Sequence, residues 1–254
     1  MADPQARPIT PADATIELKP LHPIAGKKAI YLIRHGHTKL NEKGQTSIDK
    51  VRGWIDIALD KGGLEDAEII GEMANPLGIE VIACSDLKRT VQTAEVVGDF
   101  LGLPVSARTP AFRPWNMGSA IQGEPTKEVL PTIMDYMRNR PDEKIPPDGE
   151  SFNSFRDRFL SGLQSIMEMI ENGRVHRVAI ITHFRGLKLT QGWIEAGAKP
   201  GFDIDTSVFT KNDMKPCAIY EINPDEQLKK WDGHILFRGF FNVDGKVVPA
   251  GSGS

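Results

Sequence analysis

Short apolar runs recur along the chain, and each gives way to polar or glycine-containing sequence. The clearest are Ala29–Ile33, Glu80–Cys84, Arg177–Thr182 and Cys217–Ile222. Runs of this length, bounded by turn residues, are typical of buried strands. Segments with helical spacing of apolar residues separate them. This alternation predicts an α/β fold, specifically a three-layer α/β/α sandwich around a mostly parallel sheet.

Three longer segments carry the helical pattern. We predict helices over Leu64–Leu77, Asp86–Leu101 and Ser151–Asn172, and a shorter one around Thr126–Arg138. The clearest is the third, where apolar residues recur at helical spacing, namely Phe152, Phe155, Phe159, Leu163, Ile166 and Ile170. Near the C-terminus, Phe240–Val248 surrounds an Asp-Gly pair and is predicted to form a β-hairpin.

The composition suggests one main domain with additions. Residues 1–27 are rich in proline and are interpreted as an extended arm with a short edge strand at Thr15–Leu18. Residues 28–250 form the predicted domain, and residues 251–254 a flexible tail. Within the domain, residues 111–149 contain six prolines and little regular pattern. A long excursion of this kind is usually a functional cap or lid.

Charge and hydropathy exclude some classes of partner. With 31 basic and 34 acidic residues the formal charge is −3, so no global field favours nucleic acid or an anionic membrane. No apolar run is long enough for a membrane span or a signal peptide. The two cysteines, Cys84 and Cys217, match no metal-binding spacing. We therefore expect a cytoplasmic protein without nucleic-acid or membrane partners.

Residues able to carry chemistry follow three of the predicted strands. Arg34 and His35 follow the first, Ser85 the second and His183 the third, while Arg89 lies in the first turn of the helix after Ser85. In a wound sheet the carboxyl ends of the strands border the crevice where ligands bind, so these side chains can converge. Taken alone, the first pair is equally consistent with an ordinary polar loop.

The residue types in this set point to phosphoryl transfer. A histidine can act as nucleophile and form a covalent intermediate, and the planar guanidinium of arginine matches phosphate oxygens. Two arginines and two histidines repel one another unless an anion lies among them. Because those arginines disfavour a cation and no carboxylate lies at suitable spacing, the sequence predicts no metal and no cofactor.

Several ordered motifs resemble one known family. These are Arg34-His35-Gly36 with Thr38 and Asn41, the Gly-x-x-Asp-x-x-Leu segment from Gly53 to Leu59, the segment from Ser85 to Ala94, Gly149-Glu150-Ser151, and His183 after a strand. Together they resemble the histidine phosphatase superfamily, in the branch that includes cofactor-dependent phosphoglycerate mutases and many small phosphatases. The resemblance runs from about Ala29 to Ile222 and implies a phosphoglycerate mutase-like fold.

The resemblance also implies roles for individual residues. His35 would be the nucleophile that becomes phosphohistidine. Three residues would hold the oxygens of the transferring group, namely Arg34, Arg89 and His183. Four more are candidates for substrate binding, namely Asn41, Thr38, Arg113 and His37. Arg52 could reach a second anionic group, but a surface position is the expectation for it.

Two positions depart from the family pattern. His37 stands where the family commonly has Glu or Gln, and Pro114 stands where it usually has the acid that protonates the leaving oxygen. Another residue could supply the proton, with Glu124 the first candidate and Asp56 and His37 the others. Alternatively, the substrate has a good leaving group, or the protein has lost turnover and kept phosphate binding.

We therefore predict a phosphatase that hydrolyses a small phosphorylated substrate, a phosphate ester or anhydride, through phosphohistidine on His35. A phosphoglycerate mutase-type reaction ranks lower, since the excursion lacks the extra basic and aromatic residues of mutases. A catalytically impaired phospholigand-binding protein is the third possibility. The substrate itself and the oligomeric state, monomer or homodimer, stay open.

Overall fold

The computed structural model describes residues 28–41, 49–198, 201–210, 216, 218–225, 230–237, 240–241 and 247–248. The strands are β1 (Ala29–Arg34), β2 (Val81–Ser85), β3 (Val105–Thr109), β4 (Arg177–Thr182), β5 (Ile219–Asp225), β6 (Lys230–Phe237), β7 (Phe240–Phe241) and β8 (Val247–Val248). The α-helices are α1 (Lys61–Ala74), α2 (Lys88–Leu101), α3 (Thr126–Arg138), α4 (Phe152–Glu171) and α5 (Phe184–Glu195). The predicted arm at 1–27 and tail at 251–254 lie outside the described residues.

Six strands form one mixed sheet in the order β3-β2-β4-β1-β5-β6. The pairs β3/β2, β2/β4 and β4/β1 are parallel, whereas β1/β5 and β5/β6 are antiparallel. In the parallel part the carboxyl ends of β2, β4 and β1 therefore lie side by side at one edge. The predicted mostly parallel sheet is confirmed.

Alternate side chains of each central strand enter two separate apolar cores. On one face, Ile30 and Leu32 of β1 pack in a core that includes residues of α4, α5 and the excursion. On the other, Tyr31 and Ile33 pack with residues of α1 and α2. Because successive side chains of a strand point to opposite faces, a strand apolar at every position requires a covering layer on both sides. This produces the predicted three-layer sandwich.

Polar caps fix where the helices begin. The carboxylate of Asp60 accepts a hydrogen bond from Gly63 N at 3.0 Å, so α1 begins at Lys61 and includes the two glycines predicted to precede it. The Ser151 hydroxyl likewise accepts from Ser154 N at 3.1 Å and starts α4. Side-chain caps of this kind satisfy backbone N–H groups that have no partner inside the helix.

The excursion at 111–149 packs on the core rather than standing away from it. Trp115, Met117 and Ile133 are fully buried in the core on the α4 side. Arg158 of α4 is also buried and donates to the carbonyls of Pro110, Ala111, Arg113 and Pro114. Its ion pair with Glu150, at 2.7 Å, completes the attachment.

The predicted elements are largely present, with three additions. The helix over Thr126–Arg138 and the strand over Arg177–Thr182 have the predicted bounds, and β7 pairs with β8 as the hairpin prediction requires. Cys84 is buried with a free thiol, while Cys217 lies outside the described residues. The elements β3, α5 and β6 were not predicted. Within the described ranges, every helix is too short or too polar to traverse a lipid bilayer.

Candidate active site

Strand register brings the two histidines together. Arg34 at the end of β1 pairs with Thr182 at the end of β4, so the residues that follow, His35 and His183, occupy equivalent positions on neighbouring parallel strands. The backbone N–H of His35 donates to the Thr182 carbonyl at 3.1 Å. The two imidazole rings meet edge to face with centroids 5.2 Å apart.

The imidazole of His35 is buried and held in one orientation. Its Nδ1 lies 2.7 Å from the Gly36 carbonyl oxygen, which can only accept, so Nδ1 carries the proton and donates. The lone pair then lies on Nε2. Burial and the nearby cations Arg89, Arg34 and Arg52 hold the pKa of His35 well below its usual value. The ring is therefore neutral at physiological pH and can attack through Nε2.

His183 is held by two polar partners. Arg89 Nε donates to His183 Nδ1 at 3.2 Å, and His183 Nε2 lies 3.0 Å from the Ser85 hydroxyl oxygen. Because Nδ1 accepts, Nε2 carries the proton of the neutral ring. Burial, Arg89 and His35 are the largest of the causes that lower the pKa of His183 well below its usual value. His183 is therefore a neutral imidazole whose Nε2–H is directed at the Ser85 hydroxyl within the buried site.

The loop after Gly53 positions the Arg89 guanidinium. Arg89 Nη1 donates to the Ile55 carbonyl at 2.7 Å and Nη2 to the Gly53 carbonyl at 2.8 Å. Gly53 has a φ of +46°, a conformation that glycine adopts readily. Arg89 is 1% exposed, and burial together with Arg52 lowers its pKa to about 9. An anion among these groups would offset the unfavourable concentration of positive charge.

Arg34 and Arg52 add positive charge around the histidines. The Arg34 side chain is buried, with its guanidinium carbon 5.3 Å from the centroid of the Phe184 ring. Arg52 donates through Nη1 to the Leu40 carbonyl at 3.2 Å and to Asp49 at 3.1 Å. Contrary to the expectation of a surface role, the Arg52 side chain is only 14% exposed. Arg52 is thus largely buried, and it contributes to the lowered pKa of both histidines.

Thr38 and Asn41 form a compact turn after the first histidine. The Asn41 side-chain oxygen accepts from both the backbone N–H of Thr38, at 2.9 Å, and its hydroxyl, at 3.0 Å. Both residues are buried. With its oxygen occupied, the amide nitrogen of Asn41 is the group available to donate to a ligand.

Three candidate residues lie in other settings. His37 is paired through Nδ1 with the carboxylate of Asp66 on α1. Arg113 binds Asp86 with two hydrogen bonds, of 2.6 and 2.7 Å, and stacks over Trp54. Glu124 has an exposed side chain, although its backbone carbonyl accepts from Val51 N at 2.9 Å. The structure thus groups Arg34, His35, Arg89 and His183 closely and leaves these three at the periphery.

At the position of the usual acid, Pro114 contributes only its carbonyl. That oxygen accepts from Trp54 Nε1 at 2.8 Å and from Arg158 Nη2 at 3.2 Å. Asp56, another acid candidate, accepts from the backbone N–H of Lys88 at 2.7 Å and so caps the start of α2. Among the described residues, no group of three His, Cys, Asp or Glu side chains has the spacing to hold a metal ion.

Comparison with known sequences identifies the family. The sequence pattern of the histidine phosphatase superfamily (branch 1) matches residues 30–232, and the chain belongs to this superfamily. Proteins described as probable phosphoglycerate mutase GpmB, from Yersinia pestis and Yersinia pseudotuberculosis, are 30% identical over 143 residues. That match spans 55% of this chain and 63% of the relatives' length, less than two thirds of it.

Comparison with solved structures supports the same fold. Bacillus stearothermophilus YhfR superposes with a TM-score of 0.64 at 24% identity, covering 82% of this chain and 95% of that one. The mycobacterial glucosyl-3-phosphoglycerate phosphatase gives 0.61 at 17% identity, covering 82% and 98%. The α-ribazole phosphatase of Shigella flexneri gives 0.60 at 20%, covering 82% and 95%. The histidine phosphatase fold inferred from the motifs is confirmed.

Proposed function

We propose that the protein is a phosphatase that hydrolyses a phosphate ester or anhydride through a phosphohistidine on His35. The observation that carries this proposal is the orientation of His35. Its Nδ1 proton is engaged by the Gly36 carbonyl, and its Nε2 lone pair lies in a buried site flanked by Arg34 and Arg89. An oriented neutral nucleophile beside fixed cations is what transfer of a phosphoryl group requires.

The reaction would proceed in two displacements. Nε2 of His35 attacks phosphorus and the bond to the leaving oxygen breaks. Water then attacks the phosphohistidine, the P–N bond breaks, and inorganic phosphate departs. Arg34, Arg89 and His183 would stabilise the charge on the transferring group, with Asn41 as a further donor. Losing one such preset donor typically lowers the rate by roughly 10²–10³.

Three residues could donate the proton to the leaving oxygen. Two of them are already engaged, because Asp56 caps α2 and His37 is bound to Asp66. The Glu124 side chain makes no hydrogen bond with the described residues. Glu124 is therefore the first residue to test. If no residue donates, a substrate with a good leaving group can still react, because it departs as an anion.

Trapping the covalent intermediate tests the proposal. The enzyme turns over an aryl phosphate with a labelled phosphoryl group, and the reaction is stopped rapidly without acid. We expect the recovered enzyme to carry one phosphoryl group that is labile in acid and stable in alkali. His35→Ala should carry no label. His176→Gln, which changes a histidine beside Glu80, serves as the matched control and should label normally. Labelling of His35→Ala would disprove the assignment.

A mutase is the second candidate because of the similarity to proteins named as mutases. Two of the three arginines of the excursion argue for a lower rank, since Arg113 is bound to Asp86 and Arg140 to Asp135. Hydrolysis of an aryl phosphate, measured beside isomerisation of 3-phosphoglycerate, separates the two. Faster isomerisation would favour the mutase.

A non-catalytic phospholigand-binding protein is the third candidate, favoured by proline at the usual acid position. It predicts tight binding of inorganic phosphate with no turnover, even of an aryl phosphate whose leaving group needs no proton. Detectable hydrolysis that depends on His35 would eliminate it. In each case the ligand is a small phosphorylated molecule.

A further inference from the structure

Arg185 is a half-buried cation close to the proposed phosphoryl site. It lies in the first turn of α5, just after His183. Its guanidinium makes no hydrogen bond or ion pair with any part of the chain that the structure describes. A guanidinium that has lost part of its hydration without gaining a partner is unfavourable. An anionic ligand at this position would relieve that cost.

Arg52 faces the same region with unused donors. Both of its hydrogen bonds, to Leu40 and Asp49, use the single nitrogen Nη1. Nε and Nη2 donate to none of the described residues. The one occupied nitrogen therefore fixes the side chain, and the other two remain able to bind a ligand in the fork geometry that suits carboxylate and phosphate oxygens.

Each of these two arginines adjoins, along the chain, a residue of the proposed phosphoryl site or its support. Arg52 immediately precedes the loop whose carbonyls hold Arg89, and Arg185 follows His183 into α5. Burial and Arg52 together lower the pKa of Arg185 to about 10. Asp49 acts in the opposite direction, but it is one carboxylate facing two guanidinium groups.

Arg52 also links this region to the histidines. It lowers the pKa of both His35 and His183, whereas Arg185 is not among the charges that shift either histidine. Because Arg34, Arg89 and His183 surround the nucleophile, the charge of Arg52 and Arg185 is available for another part of the substrate.

We propose that Arg52 and Arg185 form a second anion subsite, which selects substrates whose leaving group carries an additional carboxylate or phosphoryl group. This rests on the proposed phosphatase function and narrows its substrate class. The shared chemistry of the ligand is an anionic group with two or more terminal oxygens, held at a fixed distance from the phosphorus under attack.

A matched pair of substrates tests the subsite. The first is 4-(carboxymethyl)phenyl phosphate and the second is its carboxamide, which has the same shape and a similar leaving group but no second charge. A third, 1,4-phenylene bisphosphate, asks whether a phosphoryl group is preferred to a carboxylate. We expect kcat/KM for the carboxylate to exceed that for the amide by about tenfold, because a hydrogen bond to a charged group is roughly twice as strong as one to a neutral group, a difference that changes binding by about that factor.

Substitutions locate the effect. Arg185→Gln should raise KM for the charged substrates by about tenfold and leave KM for the amide within about twofold. Arg185→Lys keeps the charge but lacks the planar guanidinium. Its KM for the charged substrates should lie between the values for the unmodified protein and for Arg185→Gln. Arg108→Gln removes an exposed arginine paired with Glu95 and is the control for net charge. Thermal unfolding of each variant checks that the fold is retained.

The outcomes distinguish this proposal from the one on which it rests. Equal kcat/KM for acid and amide, or equal loss of both in Arg185→Gln, overturns the second subsite while hydrolysis itself continues. Absence of hydrolysis of all three substrates overturns the phosphatase instead. In that event, competition between inorganic phosphate and each unhydrolysed aryl phosphate still tests the subsite, since the charged ligands should bind more tightly only if Arg185 is present.

Discussion

Burial and neighbouring guanidinium groups keep the imidazole of His35 unprotonated. A buried cationic imidazole beside Arg34 and Arg89 would lack both hydration and a counter-charge. The ring therefore stays neutral, as the proposed nucleophile must be, at pH values where an exposed histidine, with a pKa near 6.5, begins to gain a proton.

This predicts how activity depends on pH. We expect the acid limb of kcat/KM to lie well below pH 6.5, because the pKa of His35 in the free enzyme is lowered from that value. Removing a cation should partly restore that pKa, so Arg52→Gln should move the limb to higher pH. Arg108→Gln should leave it in place. The measurement is a pH–rate profile corrected for ionisation of the substrate phosphate.

Glu124 is the residue on which the protonation step can be tested most directly. If it donates to the leaving oxygen, Glu124→Gln should slow alkyl phosphates by roughly 10²–10³ and aryl phosphates far less, because a phenolate leaves without a proton. Glu128→Gln, an exposed neighbour on α3, should affect neither. Equal slowing of both classes, or no slowing, would exclude Glu124 as the acid.

At the scale of elements, the loop from Gly53 to Asp56 joins three parts of the site. Its carbonyls hold Arg89, the Asp56 carboxylate caps α2, and Trp54 donates to the Pro114 carbonyl of the excursion. The side-chain oxygen of Gln122 accepts from Trp54 N on the same loop. A distortion of this loop would therefore displace the Arg89 guanidinium, which lies in the proposed active site.

Gly53→Ala tests that link. Its φ is positive, and an added Cβ would collide with the Gln122 side chain, so we expect the loop to shift and kcat to fall by roughly tenfold to a hundredfold as Arg89 is displaced. The control is Gly102→Ala, which has a φ of +64° but no atom within 4 Å of the added Cβ. It should cost about 1 kcal/mol of stability and leave kcat unchanged. Equal kcat in the two variants would contradict the role of the loop.

Buried Arg158 of α4 and its partner Glu150 fix the path of residues 110–114, where the excursion begins. In this structure, the glutamate of the Gly149-Glu150-Ser151 motif therefore anchors the excursion to α4. Glu150 also accepts from Asn116 N at 2.9 Å. The excursion is thus attached to the core through this largely buried ion pair and through apolar packing.

Across the whole molecule, the buried histidines make stability depend on pH. Both have pKa values lowered in the folded state, so the unfolded chain binds protons first as the pH falls through about 6.5. Below that value the free energy of unfolding should drop with pH, by up to about 1.4 kcal/mol per unit for each histidine until its folded pKa is reached. Above about pH 6.5, neither histidine makes the free energy of unfolding depend on pH. Urea unfolding at several pH values should show a shallower dependence in His183→Gln.

The concentration of buried cations predicts stabilisation by a bound anion. Inorganic phosphate or vanadate should raise the melting temperature, since saturation at a hundred times Kd adds about 2.7 kcal/mol to the free energy of unfolding. Chloride at equal ionic strength should leave the melting temperature unchanged. Arg89→Gln should lose most of the effect while Arg108→Gln retains it. A melting temperature insensitive to phosphate in the unmodified protein would argue against an anion site.

Much of the architecture could be predicted because local pattern and burial coincide in the central elements. β1 and β4 are apolar at nearly every position and lie buried between two helical layers, so their composition identifies them. β3 was missed because it is a short, half-exposed edge strand with only two apolar residues, Val105 and Ala107. The α5 segment contains Gly186 and Gly192, which weaken a helical pattern, and β6 contains an Asp-Gly pair that resembles a turn.

The amino-acid order was sufficient to predict the family and to propose its chemistry here, with histidine as nucleophile, arginines for the anion, and proline in place of the usual acid. Their distances required the fold, because residues as far apart as Arg34, Arg89 and His183 meet only through the register of parallel strands. Packing also decided which arginines already have their donors bonded within the protein. Arg113 is bound by Asp86, whereas Arg52 and Arg185 retain free donors. Spacing along a chain carries no information about such long-range pairing, which arises when the sheet and its excursion pack together.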